Sequence, residues 1–147
     1  MSYSLDVNIL IHASNTASDL NEAANAFLEK CLSGSELIVL GYPVLLSYLR
    51  ISTHPSIFPE PLSPAEALEN VRNLVSVPHV RAVSEDGGFL DLFATLTAPQ
   101  PASGNQVPDW HLVTILKQHD VPLIYTTDKA FPGGSHVRAV NPFLPKN

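Results

Sequence analysis

Apolar and polar positions along the chain alternate between a helical and an extended period. Residues 17–32 place Leu20, Ala24, Phe27 and Cys31 on one face, which predicts an amphipathic helix. Residues 36–40 form a compact apolar run ending at Gly41, the pattern of a buried strand. Residues 43–52 follow as a mostly buried helix with Pro43 in its first turn, where a missing N–H is tolerated. Ser63-Pro64-Ala65-Glu66 is a capping box, and the helix it opens runs to about Val75 with Leu68, Val71 and Leu74 as its inner stripe. Phe89–Thr97 and residues 109–119 predict two more helices, the second turning Leu112, Val113, Ile115 and Leu116 inward. Short apolar runs at 2–5, 80–83, 123–126 and 137–140 predict the remaining strands. Strands separated by helices need crossover connections, so the sheet should be mainly parallel and covered on both faces. The expectation is one three-layer α/β/α sandwich over residues 1–147.

Proline sharpens this picture. The chain has 13 prolines, and two strips rich in them, 53–64 and 98–108, read as loops too short to separate domains. Apolar residues make up 45% and charged residues 15%, which suits a packed core and excludes a disordered chain. The longest apolar run, 37–46, is broken by Gly41 and Pro43 and falls well short of the ~18 residues of a membrane helix. Met1-Ser2-Tyr3-Ser4 carries no basic segment, so no secretory signal is expected and the expected compartment is cytoplasmic. The single cysteine, Cys31, excludes an internal disulfide and a multi-cysteine zinc site.

Charge narrows the function. Fourteen acidic against eight basic residues give a formal net charge of -6. Proteins that hold long nucleic acid by its phosphates are usually basic, so any work on nucleic acid here must use a local site or a bound cation. In a parallel α/β sheet the ligand crevice lies beyond the carboxyl ends of the strands. Asp6 directly follows the first predicted strand, Asp128 closely follows the strand at 123–126, and Asp109 opens a predicted helix. Three carboxylates at one place repel one another and need a cation. All-oxygen ligation favours Mg²⁺ or Mn²⁺ over zinc. Taken singly, each acid also has a plain structural role. Asp6 and Asp109 suit helix N-termini, and Asp128 suits a turn.

Three motifs carry a family resemblance. Leu5-Asp6-Val7-Asn8-Ile9-Leu10-Ile11 resembles the opening of a PIN domain, Val107-Pro108-Asp109-Trp110-His111-Leu112 its central acidic motif, and Tyr125-Thr126-Thr127-Asp128-Lys129-Ala130-Phe131 its last one. Tyr48-Leu49-Arg50-Ile51-Ser52-Thr53-His54-Pro55 and Arg138-Ala139-Val140-Asn141-Pro142 resemble the VapC toxins of bacterial toxin–antitoxin pairs. The resemblance implies a Mg²⁺- or Mn²⁺-dependent ribonuclease acting on single-stranded or loop RNA. It also implies a small VapB-like antitoxin partner whose tail fills the active-site groove, and a homodimer. It assigns Asp6, Asp109 and Asp128 as metal-binding acids, with Asn8 and Thr126 as their supporting polar neighbours.

Two features depart from the family pattern. The helix after the second strand carries no acid, Leu45 or Ser47 standing where a Glu is common, and Ala130 replaces a frequent second Asp. One firmly held cation is therefore expected rather than two, and a degenerate PIN domain that binds RNA or a protein without cutting it is the alternative. Asn105 is a candidate neutral oxygen near Asp109. Arg50 is a candidate phosphate ligand, or simply a cation at a helix C-terminus. Trp110 and Tyr42 are expected to pack in the core rather than stack on bases. His111 lies two residues after Asp109, off its helix face. The remaining histidines show no metal-ligand spacing, and no serine stands in a nucleophile elbow.

Overall fold

A computed structural model describes residues 1–144. Five strands form: β1 Ser4–Leu5, β2 Ile38–Gly41, β3 Val80–Val83, β4 Leu123–Tyr125 and β5 Arg138–Val140. Six helices lie between them: α1 Val7–Ser14, α2 Asn21–Ser33, α3 Tyr42–Ser52, α4 Pro64–Val75, α5 Phe89–Thr97 and α6 Gln106–Gln118.

All strand pairs are parallel. β4 lies between β1 and β5, with Leu5 opposite Tyr125 and Tyr125 opposite Val140. β2 pairs with β3, Ile38 opposite Val80. The two groups meet at Tyr3, whose N–H donates to Leu37 O at 3.1 Å and whose carbonyl accepts from Val39 N at 2.9 Å. The spatial order is therefore β3-β2-β1-β4-β5. The chain leaves β1 in one direction toward β2 and returns on the other side as β4, so the order switches between these two strands. Such a switch point leaves a crevice at the carboxyl ends of the strands.

Two helical groups flank the sheet. α1 packs on α2 and α3, α3 packs on α4, and α5 packs on α6, which lies over β2. β1 and β2 are buried along their whole length, as expected for central strands covered on both faces. α6 is enclosed: Trp110, Leu112, Val113, Thr114, Ile115 and Leu116 are all buried. Gly41 ends β2 where α6 crosses it, and a Cβ there would stand 2.9 Å from Leu112 Cδ1.

Several boundaries differ from the sequence expectation. α1 was expected only as a short helix, on the plain structural reading of Asp6 as its cap. Its run Val7-Asn8-Ile9-Leu10-Ile11 has no clear helical period, and the Asp6 carboxylate accepting from Val7 N at 2.7 Å fixes its start. α2 begins at Asn21 rather than 17, because residues 16–20 form turns held by Ser18 and Asn15. α6 begins at Gln106 rather than 109. Pro108 sits inside its first turn, where no backbone donor is needed. The inner stripe of α4 starts at Ala67, which is fully buried, while Leu68 is 41% exposed. Ala67 lets the helix approach closely and turns Leu68 outward. Tyr42 is 49% exposed, against the expected core position, while Trp110 is in the core.

Candidate active site

The three acids come from the ends of β1 and β4 and the start of α6. Asp6 is the N-cap of α1, immediately after β1. Asp128 lies in the turn after β4, its Oδ1 accepting from Ala130 N at 2.9 Å. Asp109 is in the first turn of α6. The plain structural roles of Asp6 and Asp128 are thus present, and neither uses up the carboxylate.

Around Asp6 the polar groups form one network. Asp6 is only 8% exposed. Its Oδ1 accepts from Val7 N, and its Oδ2 accepts from Thr126 Oγ1 at 2.8 Å and Asn8 Nδ2 at 3.2 Å. Thr126 Oγ1 in turn accepts from Asp128 N at 3.0 Å and Asn8 Nδ2 at 3.1 Å. Asn8 Oδ1 accepts from Thr127 N at 3.0 Å. Asn8 and Thr126 therefore tie the first acid to the loop that carries the last one.

The electrostatics follow from burial and like charge. Burial raises the Asp6 carboxyl above its ordinary range. Bonds from Thr126, Val7 N–H and Asn8 pull it back, and the Asp128 charge pushes it up again. Asp109 is half-buried. Burial first, then the charges of Asp6 and Asp128, push it up to about 6. The Asp128 charge thus acts on both Asp6 and Asp109, and the Asp6 charge on Asp109. Among the described residues the one ion pair, His111 with Glu85, lies elsewhere, so no basic side chain neutralises the cluster.

A hard cation with oxygen ligands fits this donor set. Among the described residues no three Asp, Glu, His or Cys side chains converge into a ready-made cage.

The other sequence candidates fall outside the network. Asn105 is the exposed N-cap of α6, and its side chain makes no capping bond. Arg50 is exposed in the last turn of α3, about 12 Å along the helix from the strand edge at 1.5 Å per residue. Leu45 is buried and Ser47 half-buried on α3, so that helix brings no acid to the edge. Sequence reading passed over Gln100 and Gln106, which line a cavity of ≈ 150 Å³ with Asp109 and Ala130. The available signal was the position of Gln106, three residues before Asp109 on one helix face.

No protein-family model matches the chain. Over 143 residues, 97% of this chain and 99% of the relative, it is 38% identical to Ribonuclease VapC48 of Mycobacterium tuberculosis. The chain belongs to the VapC ribonuclease family. Solved VapC structures share the fold at low identity. The toxin–antitoxin structure VapBC2 from Rickettsia felis, bound to a promoter DNA fragment, superimposes with a TM-score of 0.65 at 15% identity, covering 96% of this chain and 98% of that one. VapC20 of Mycobacterium tuberculosis, described as a Sarcin-Ricin loop cleaving toxin, gives 0.64 at 10% identity, covering 88% and 92%. The sheet and its flanking helices are accordingly a PIN-like α/β/α sandwich.

Proposed function

We propose that this protein is the toxin of a toxin–antitoxin pair and an endoribonuclease that cuts single-stranded or loop RNA with a divalent cation. One observation carries the reading: Asp6, Asp109 and Asp128 come from three separate elements at the switch point of a VapC-family sheet, Asp128 raises Asp6, both raise Asp109, and no basic side chain among the described residues pairs with them. Mg²⁺ or Mn²⁺ held by these acids would supply a water of lowered pKa and a counter-charge for the phosphate. The chain's own groups do the rest. Val7 N–H, Thr126 and Asn8 hold Asp6 in one orientation. Thr126 fixes the Asp128 loop through Asp128 N. Asp109, ionised above about pH 6, completes the negative site. In-line attack of water on the phosphodiester leaves a 5′-phosphate and a 3′-hydroxyl.

The partner reading has independent support. The similar solved structures include VapB–VapC and other toxin–antitoxin complexes. A basic antitoxin tail suits an acidic groove on a protein of net charge -6. We read residues 1–147 as one domain that pairs as a homodimer in the cytoplasm. No described helix is long and apolar enough to cross a membrane.

The absence of an acid on α3 and the small Ala130 favour a second reading, a PIN domain that binds RNA or a protein without cutting. RNA cleavage by the purified protein, with chelator and with each cation, beside an Asp6→Asn control, separates the two. Cation-dependent cleavage that disappears in the control supports the nuclease. RNA that stays intact under every condition while still being bound supports the degenerate domain.

A further inference from the structure

The molecule as a whole repels a polyanion, so the few places where RNA meets positive charge matter. Of its eight basic residues, two, Lys129 and Arg138, line a single cavity of ≈ 470 Å³ that opens beside Asp128. Both are exposed. Neither enters an ion pair among the described residues. The placement follows from the fold. Lys129 follows Asp128 in the turn after β4, whereas Arg138 opens the edge strand β5 opposite Leu123, so the cavity extends along the β5 edge of the sheet from that turn. Asn141, just past β5, also lines the cavity. Its Oδ1 is engaged by Phe143 N at 2.9 Å, so the amide NH₂ is the end left to donate. Thr127 and Phe131 also line it.

Two unpaired cations and an oriented amide donor, next to an acidic cluster, form a surface for anionic oxygens. We propose that this cavity holds the sugar–phosphate backbone of single-stranded RNA adjacent to the cleaved linkage, with Lys129 and Arg138 as counter-charges and Asn141 as a donor. The inference rests on the nuclease reading above and adds the direction of the substrate: the strand runs from the acids across the β4–β5 side of the sheet edge. It also resolves the charge problem. An acidic protein can bind RNA here because two of its eight basic residues stand where the strand passes.

The test uses a fluorescent, mixed-sequence single-stranded RNA oligonucleotide. Anisotropy is read with chelator present across a salt series, and cleavage is read separately with Mg²⁺ or Mn²⁺. The double variant Lys129→Gln/Arg138→Gln should bind about tenfold more weakly at low salt. Its slope of log K against log salt should be shallower by about 1.4, at ~0.7 for each phosphate that is no longer neutralised. Its KM should rise with kcat little changed. Lys129→Arg/Arg138→Lys keeps both charges and should bind as wild type does, which separates an effect of charge from an effect on folding. Arg72→Gln, on α4, serves as the distant control and should change nothing. A wild-type protein that cleaves RNA and a double variant with unchanged affinity and slope would overturn the subsite and leave the nuclease reading intact. A wild-type protein that neither binds nor cleaves RNA removes both. If the double variant keeps its RNA affinity but loses binding to a poly-glutamate peptide, the cavity takes an acidic protein segment and the proposal fails.

Discussion

The Asp6 carboxylate uses one oxygen to cap α1 and the other to gather Thr126 and Asn8. Thr126 is the hinge of this arrangement, donating to one acid and accepting from the backbone of the other. Thr126→Val keeps the shape and removes the hydroxyl. A buried carboxylate then loses a donor and Asp128 N loses its acceptor, so the expected loss is about 1–3 kcal/mol, with cleavage falling alongside. Chemical denaturation and a cleavage assay on the same preparation check it. Asp109 offers a pH test. The native state raises its carboxyl from 3.8 to about 6. Between those values the native chain holds more protons than the unfolded one, so cation-free stability should fall as pH rises through that window. Partial exposure screens the effect to on the order of 1 kcal/mol. Asp109→Asn should flatten this part of the pH–stability curve, stay folded and abolish cleavage. A curve that keeps its slope in the variant would assign the titration to another group.

At the scale of elements, the site depends on where β1 and β4 end and where α6 begins. Gly133 lies in the irregular connection between β4 and β5 at φ 123°, and a Cβ there would meet Val137 O at 2.9 Å. Its own carbonyl accepts from His136 N at 2.8 Å. Gly133→Ala should therefore cost about 1–3 kcal/mol through backbone strain and loosen the loop that follows Asp128. A thermal melt with an activity measurement reads both. α4 provides the contrast. Ser63 accepts from Glu66 N and Glu66 accepts from Ser63 N, a complete capping box remote from the acids. Ser63→Ala should cost about 1 kcal/mol and leave the specific activity unchanged. The helix starts that the sequence misplaced are those of α2 and α6, and the second of these carries Asp109 in its first turn. The start of α6 has no side-chain cap, so no local pattern marks it.

At the scale of the molecule, a cluster of like charges is stabilised only from outside. Mg²⁺ or Mn²⁺ at a hundred times its dissociation constant should raise stability by about 2.7 kcal/mol if it binds the native state alone. Asp109→Asn should gain distinctly less. Melts in chelator and in excess cation give both numbers, and an equal gain in the two proteins would place the ion elsewhere. The alternation of strand and helix runs, the capping box at Ser63, the acidic balance and the three acidic motifs were all legible in the chain, because each depends on neighbours within one turn or one strand. The strand order β3-β2-β1-β4-β5, the Asp6–Thr126–Asn8 network across more than a hundred residues, the exposure of Tyr42 and Leu68 and the placement of Lys129 and Arg138 on one cavity were not. These depend on which face each element buries and on the meeting of residues distant in sequence, and only the closed tertiary structure decides them.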